Sequence, residues 1–355
     1  MRKIRINTSE YRQWKANQNK KNLIRRTRLK AIKRAKRRCV YPTADNAVLS
    51  TEENVTKFEV PAAFSFINNP DGTTSFFEKL THFITEKENF GRKLFIDLAQ
   101  IEILTIDALM YLLAIINNIS RNIKKNFRFV GNIPNDPAIK ALIENSGFYK
   151  FVQYYGDKPL SRDADNIQIV SSDKVVTSLA KQISDFSSTK GGLTRSSCQF
   201  LYNMMIELMS NAHNHAYNEK DSILHPRWYC FAEHVDSENI IAFTFMDTGE
   251  GIPSTVNKRF YERLDLWKLR GDDKYVISAL KGELRTETKK YYRGKGLPKV
   301  LESCKKGQIK NMRIISNKAD VTVSGNSIVS RELPVSLKGT LFYWQIDLSE
   351  LAEVV

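Results

Sequence analysis

The stretch that most constrains the fold is residues 201–217, Leu-Tyr-Asn-Met-Met-Ile-Glu-Leu-Met-Ser-Asn-Ala-His-Asn-His-Ala-Tyr. Leu201, Met204, Met205, Leu208, Ala212 and Ala216 recur at helical period, so the segment reads as a helix with one apolar face. Glu207 and Asn211, four residues apart, stack along the polar edge of that helix. A carboxylate and a carboxamide one turn apart can hold a hydrated Mg²⁺ and orient a water. Taken alone, the same pair occurs on many surface helices.

Three further segments follow. An apolar strand pattern (Ile240, Ile241, Phe243, Phe245) runs into Asp247-Thr248-Gly249-Glu250-Gly251-Ile252-Pro253. Next comes Tyr292-Arg293-Gly294-Lys295-Gly296-Leu297-Pro298, then Lys338-Gly339-Thr340-Leu341-Phe342. A carboxylate ending an apolar strand sits in a mostly dry slot, and when ionised it only accepts hydrogen bonds. It can take one from the exocyclic amine of adenine, whereas guanine would set a carbonyl oxygen against it. Gly249 and Gly251 suit a backbone that approaches a ligand closely or takes positive φ. Gly294 and Gly296 precede an apparent helix at 297–304. Amides at a helix start, beside the cations Arg293 and Lys295, suit phosphate oxygens.

In this order and spacing the four segments resemble the GHKL ATPases: gyrase-type topoisomerases, heat-shock chaperone ATPases, sensor histidine kinases and MutL-type repair proteins. The resemblance covers roughly residues 166–348. It implies a two-layer α/β sandwich, a mixed sheet with helices on one face, that binds ATP and Mg²⁺. Glu207 would position or deprotonate the attacking water and reach the metal through water, and Asn211 would bind the Mg²⁺. Asp247 would read adenine beside Gly249, Gly251 and Ile252, with Thr340 supporting the contact through water. Arg293, Gly294, Lys295, Gly296 and Leu297 would surround the phosphates, under a lid formed by residues 254–292. Within that lid, Arg285 and Thr286 would reach the γ-phosphate or lie on a solvated face. One departure is Pro298, where the family usually has a further glycine; proline removes a backbone donor. His215 reads as a packed structural histidine.

The net charge of +16 is concentrated at one end: residues 1–40 carry 16 Lys and Arg against the single acid Glu10, hence +15. With so few apolar residues this leader builds no core. It reads as an arm that contacts nucleic-acid phosphates without sequence readout, or as a solvated leader. Residues 41–56 look like a linker. The longest apolar run, 109–116, is too short to span a bilayer, and the basic start has no apolar signal-peptide segment. Cys39, Cys198, Cys230 and Cys304 are scattered, as expected of free thiols in a reducing cytoplasm.

Between these parts, residues 57–155 alternate strands and helices and predict a small α/β layer. Lys93-Leu94-Phe95-Ile96-Asp97-Leu98 reads as a buried strand, with Thr105 capping a helix that carries Ile106, Leu109, Met110, Leu113 and Ile116. Residues 127–131 read as another strand. Asp136 and Pro137 open a helix that Gly147 closes. Phe95-Ile96-Asp97-Leu98 followed by Leu104-Thr105-Ile106-Asp107-Ala108 resembles a STAS domain, the fold of anti-sigma-factor antagonists. Ala108 stands where the family's regulatory members carry a phosphorylatable serine, which implies a docking module for a protein partner. Residues 156–355 then form the ATP-binding domain. No histidine lies between Lys150 and Gln199, which argues against a histidine autokinase. The expected function is a cytoplasmic Mg-dependent ATPase used as a switch, as a monomer or homodimer. The alternatives are a Ser/Thr protein kinase resembling anti-sigma-factor kinases, and an adaptor that senses ATP without hydrolysing it.

Overall fold

The computed structural model describes residues 55–121, 127–152, 165–215, 224, 226–255, 271–283 and 296–349. The basic leader, Arg285, Thr286, Arg293, Gly294 and Lys295 lie outside the described residues, as do the side chain of His215 and most of the segment expected to form a lid.

The chain is α/β, with a parallel sheet followed by an antiparallel one. The parallel sheet joins β1 (Val55–Glu59), β3 (Lys93–Asp97) and β5 (Arg128–Gly131) in the order β1-β3-β5. It takes in Val55 and Thr56, at the end of the expected linker. A short ladder pairs β2 (Ala63–Phe64) with β4 (Ile103–Leu104). Helix α1 (Pro70–Thr85) is capped by Asn69, whose side chain accepts from the Gly72 amide (3.1 Å), with Pro70 at the first position. Helix α2 (Ile106–Arg121) follows β4. The hydroxyl of Thr105, at the start of this helix, bonds Ser65 Oγ (2.7 Å), a tie across 40 residues. Helix α3 (Pro137–Asn145) starts as predicted, with the Asp136 carboxylate accepting from the amides of Ala138 (2.7 Å) and Ile139 (3.0 Å). Gly147, at φ +77°, ends it.

The second sheet has the order β6-β7-β8-β10-β9, formed by Asn166–Ser172, Trp228–Val235, Ile240–Asp247, Ser327–Asp347 and Lys310–Ser324 respectively. Every pairing is antiparallel, which corrects the expected mixed sheet. Helices α4 (Thr177–Gly191), α5 (Arg195–His215), α6 (Asp272–Lys281) and α7 (Gly296–Lys305) cover one face. Successive side chains of a strand point to opposite faces. Trp228, Cys230, Phe243, Phe245, Phe342 and Trp344 share a core with Leu201 and Met205 of α5, Val276 of α6 and Leu301 of α7.

Their neighbours Tyr229, Phe231, Met246, Ile315 and Leu341 are also apolar and buried. They share the other core with Phe77 of α1 and with Leu109 and Tyr111 of α2. The antiparallel sheet and its own helices make the two expected layers, and α1 and α2 of the N-terminal half add a third: strands apolar on both faces must be covered on both.

Charge reinforces this second contact. Arg313 on β9 forms a bidentate pair with buried Asp320 (2.8 Å for each contact) and donates to the carbonyl of Ile67. Arg331 on β10 joins Asp320 (2.9 Å) to Asp71 of α1 (3.0 Å). Asp107, also buried, accepts from the Phe66 amide (2.9 Å), and burial pushes its carboxyl up to about 6 against the opposing pull of its hydrogen bonds and of Arg313. Cys198, Cys230 and Cys304 are free thiols, and among the described residues no helix is long and apolar enough to cross a membrane.

Removing the shared acid takes from Arg313 its bidentate partner and leaves Arg331 with Asp71 alone. Asp320→Ala is expected to cost about 3–5 kcal/mol of unfolding free energy, read by denaturant titration. A loss below about 1 kcal/mol would show the cluster to be peripheral.

Candidate functional site

Asp247 closes β8 with Trp228 of β7 on one side and Thr340 of β10 on the other, as directly opposed partners. The strand end is clamped. The amide of Thr248 donates to the carbonyl of Arg227 (2.9 Å), the amide of Arg227 donates to Thr248 Oγ1 (2.9 Å), and the Arg227 side chain is held by Ser171 (3.0 and 3.1 Å). On the residues' alternation, Asp247 points to the helical side of the sheet, as Trp228 and Phe245 do.

The Asp247 carboxylate accepts from the amides of Gly249 (2.8 Å) and Thr340. Burial raises it to about 6, with those two bonds opposing the rise. Part of its surface stays accessible. A carboxylate has about four lone-pair sites, and two are used here. The remainder can accept from a ligand.

Thr340 lies in the interior of β10. Its register with β9 breaks between Leu337 and Thr340, and Gly339 sits in that bulge at φ +104°. A Cβ at 339 would come 2.0 Å from the carbonyl oxygen of Asp247, so no side chain fits. On its far side Thr340 Oγ1 meets Ser316 Oγ (2.9 Å). Ser316, fully buried, also donates to the Gly339 carbonyl (3.2 Å) and accepts from the amide of Ile252 (2.8 Å). Beside it, the Asn317 side chain donates to the Glu250 carbonyl (2.9 Å) and accepts from the Ser254 amide (3.2 Å) and hydroxyl (3.0 Å). Gly251, at φ +87°, lies against the same side chain, where a Cβ would meet Asn317 Oδ1 at 2.5 Å. Asp247, Gly249, Gly251, Ile252 and Thr340 therefore belong to one hydrogen-bonded cluster. Ser316 and Asn317, which knit it together, were not singled out in the sequence.

The second group is on α5. Glu207 is half-buried, and burial raises its carboxyl while Lys299 opposes the rise. Gly296, the first residue of α7, lies directly against it: a Cβ there would come 2.1 Å from Glu207 Cγ. Leu297 follows, partly buried against the helical core. Asn211 is one turn further along α5 and also half-buried. His213, further along α5, has Nδ1 at 2.9 Å from the Asp173 carbonyl. Both groups belong to the helix-covered side of the second sheet, where α5 and α7 pack.

The closest approach in the site is that of Gly339 to the Asp247 peptide, and it yields a direct test. Gly339→Ala combines positive φ with a backbone collision. It is expected to lower the thermal midpoint by at least about 5 °C, several kcal/mol of strain, as read by calorimetry. An unchanged midpoint would mean that the two strands do not approach in this way. Comparison with protein-family models finds no match, and comparison with curated proteins finds none either, so the reading of this site rests on its own geometry and chemistry.

Proposed function

We propose that the chain binds Mg·ATP on the helical side of the antiparallel sheet and hydrolyses it slowly, using the nucleotide as a switch in the manner of the GHKL ATPases it resembles. The observation that carries the reading is the Asp247 carboxylate. The residue is half-buried, and its carboxylate is held by backbone amides with acceptor capacity to spare. Such a group at the end of a buried strand suits the amine of adenine and disfavours a carbonyl at the same ring position. Gly339 and Gly251 let the backbone pack closely on the Asp247 peptide and on Asn317, which fixes the cluster around the carboxylate.

Glu207 is the proton acceptor in this reading. Burial makes its carboxyl a stronger base than an exposed one, which suits taking a proton from an attacking water. The metal donors fit magnesium. Asn211 and Glu207 offer two oxygen positions one turn apart. Magnesium keeps several waters and takes its other ligands from phosphates, whose charge it neutralises when bound. The close packing of Gly296 on Glu207 brings the start of α7 to this position, where its amides suit phosphate oxygens.

Labelled ATP tests the reading. Asp247→Ala is expected to lose binding, while Glu207→Ala keeps affinity within about threefold and loses at least about a hundredfold in turnover. Label recovered on protein instead of as free phosphate would favour the Ser/Thr kinase alternative. Wild-type protein that ignores millimolar ATP would end the proposal.

A further inference from the structure

We infer that the outer half of the β9–β10 hairpin is a strut coupling α6 to the N-terminal layer, so that the hold of α1 on the hairpin sets the hold of the hairpin on α6. This goes beyond the nucleotide reading and does not rest on it.

The pairing of β8 with β10 ends at Asp247 and Thr340, whereas β9 continues along β10, with Ser327–Glu332 opposite Ser324–Ala319 residue by residue. A two-stranded ribbon is marginal by itself and needs a helix against it. Here helices from different halves of the chain cover its two faces. Ala319, Val321 and Val323 lie in the core with Val276 and Leu280 of α6, while Leu333 lies in the core with Phe77 of α1.

The polar contacts of β10 follow the same alternation: Ser330 and Glu332 reach α6, and Arg331 between them reaches α1. Helix α6 starts behind Gly271, which has no side chain to cap it. The strand supplies the cap instead. Glu332 Oε1 accepts from the Asp272 amide (2.8 Å), a role usually filled by the residue just before a helix. Ser330 Oγ donates to Asp273 Oδ2 (2.6 Å), and the amide of Lys318 on β9 donates to Asp272 Oδ2 (2.9 Å). Gly271, at φ +99°, permits the approach, since a Cβ there would come 2.9 Å from Glu332 Oε1. On the opposite face the Arg331 guanidinium donates to Asp71 in the first turn of α1 (3.0 Å) and to Asp320 (2.9 Å). The α1 contact and the α6 contacts are therefore made by successive residues of one strand. Loosening the strand on α1 loosens the cap of α6.

Hydrogen exchange of the α6 amides in the full chain, without nucleotide, tests the coupling. Glu332→Ala removes the borrowed cap, and α6 is expected to exchange about fivefold faster, as loss of a cap would allow. Arg331→Met cuts the tie to α1 while Asp320 keeps its bidentate partner Arg313. It is expected to speed α6 about threefold, within the range of a partly exposed ion pair. Helix α4, which packs against β7 and β8, is expected to keep its wild-type rate in both variants. In the double variant the acceleration of α6 is expected to fall short of the product of the two, because the Arg331 effect travels through the contact that Glu332→Ala removes. Wild-type exchange of α6 in either single variant would overturn the inference. Equal acceleration of α4 would also overturn it, by showing general destabilisation, and so would effects that multiply in full, by showing two independent contacts.

Discussion

The pairing of β10 with β8 governs the rest of the structure. It sets Thr340 opposite Asp247 and presses Gly339 against the Asp247 peptide, at a distance that excludes any side chain. Antiparallel register leaves no freedom here, because a slip of one residue would turn every side chain of β10 to the wrong face. Phe342 and Trp344 would leave the helical core, and Leu341 would leave the core shared with α1 and α2. The same apolar alternation that stabilises the sheet therefore fixes the polar cluster at its end. Structure and candidate chemistry share one constraint.

That constraint explains why the N-terminal half matters to the other half. The second face of the antiparallel sheet is too apolar to be left to water, and α1 and α2 supply its cover. Burial of aromatic and aliphatic side chains dominates that contact, while the Arg313–Asp320–Arg331 cluster sets its alignment. A buried ion pair contributes little net stability but is costly to break, so its main effect is on which arrangement forms. The N-terminal layer fixed in this way forms the wall behind the sheet that carries the candidate site.

Much of this was legible in the sequence, and what was missed has physical causes. Helix α5, strand β8 and helix α3 announced themselves through unbroken period and, in α3, through the Asp136–Pro137 start. Strand β7 did not, because its run from Trp228 to Ala232 is buried on both faces and shows no alternation. Helix α6 went unseen within a charged segment read as a lid, since tertiary packing of Val276 and Leu280 outweighs a weak local pattern. The candidate site divides similarly. Asp247, Gly249, Gly251 and Thr340 carried motif spacing, whereas Ser316 and Asn317 matter only through register across β9 and β10, which spacing along the chain does not state.

The central claim is that the carboxylate at the end of β8 reads the base of a nucleotide, and the most direct measurement is the affinity of wild-type protein for ATP against inosine triphosphate. The two differ at the ring position where adenine carries an amine and hypoxanthine a carbonyl oxygen. Tighter binding of ATP, on the order of a hundredfold or more, is the result the account predicts, because the carbonyl would leave two acceptors facing each other. Equal affinity for the two nucleotides, or binding of neither, would contradict it.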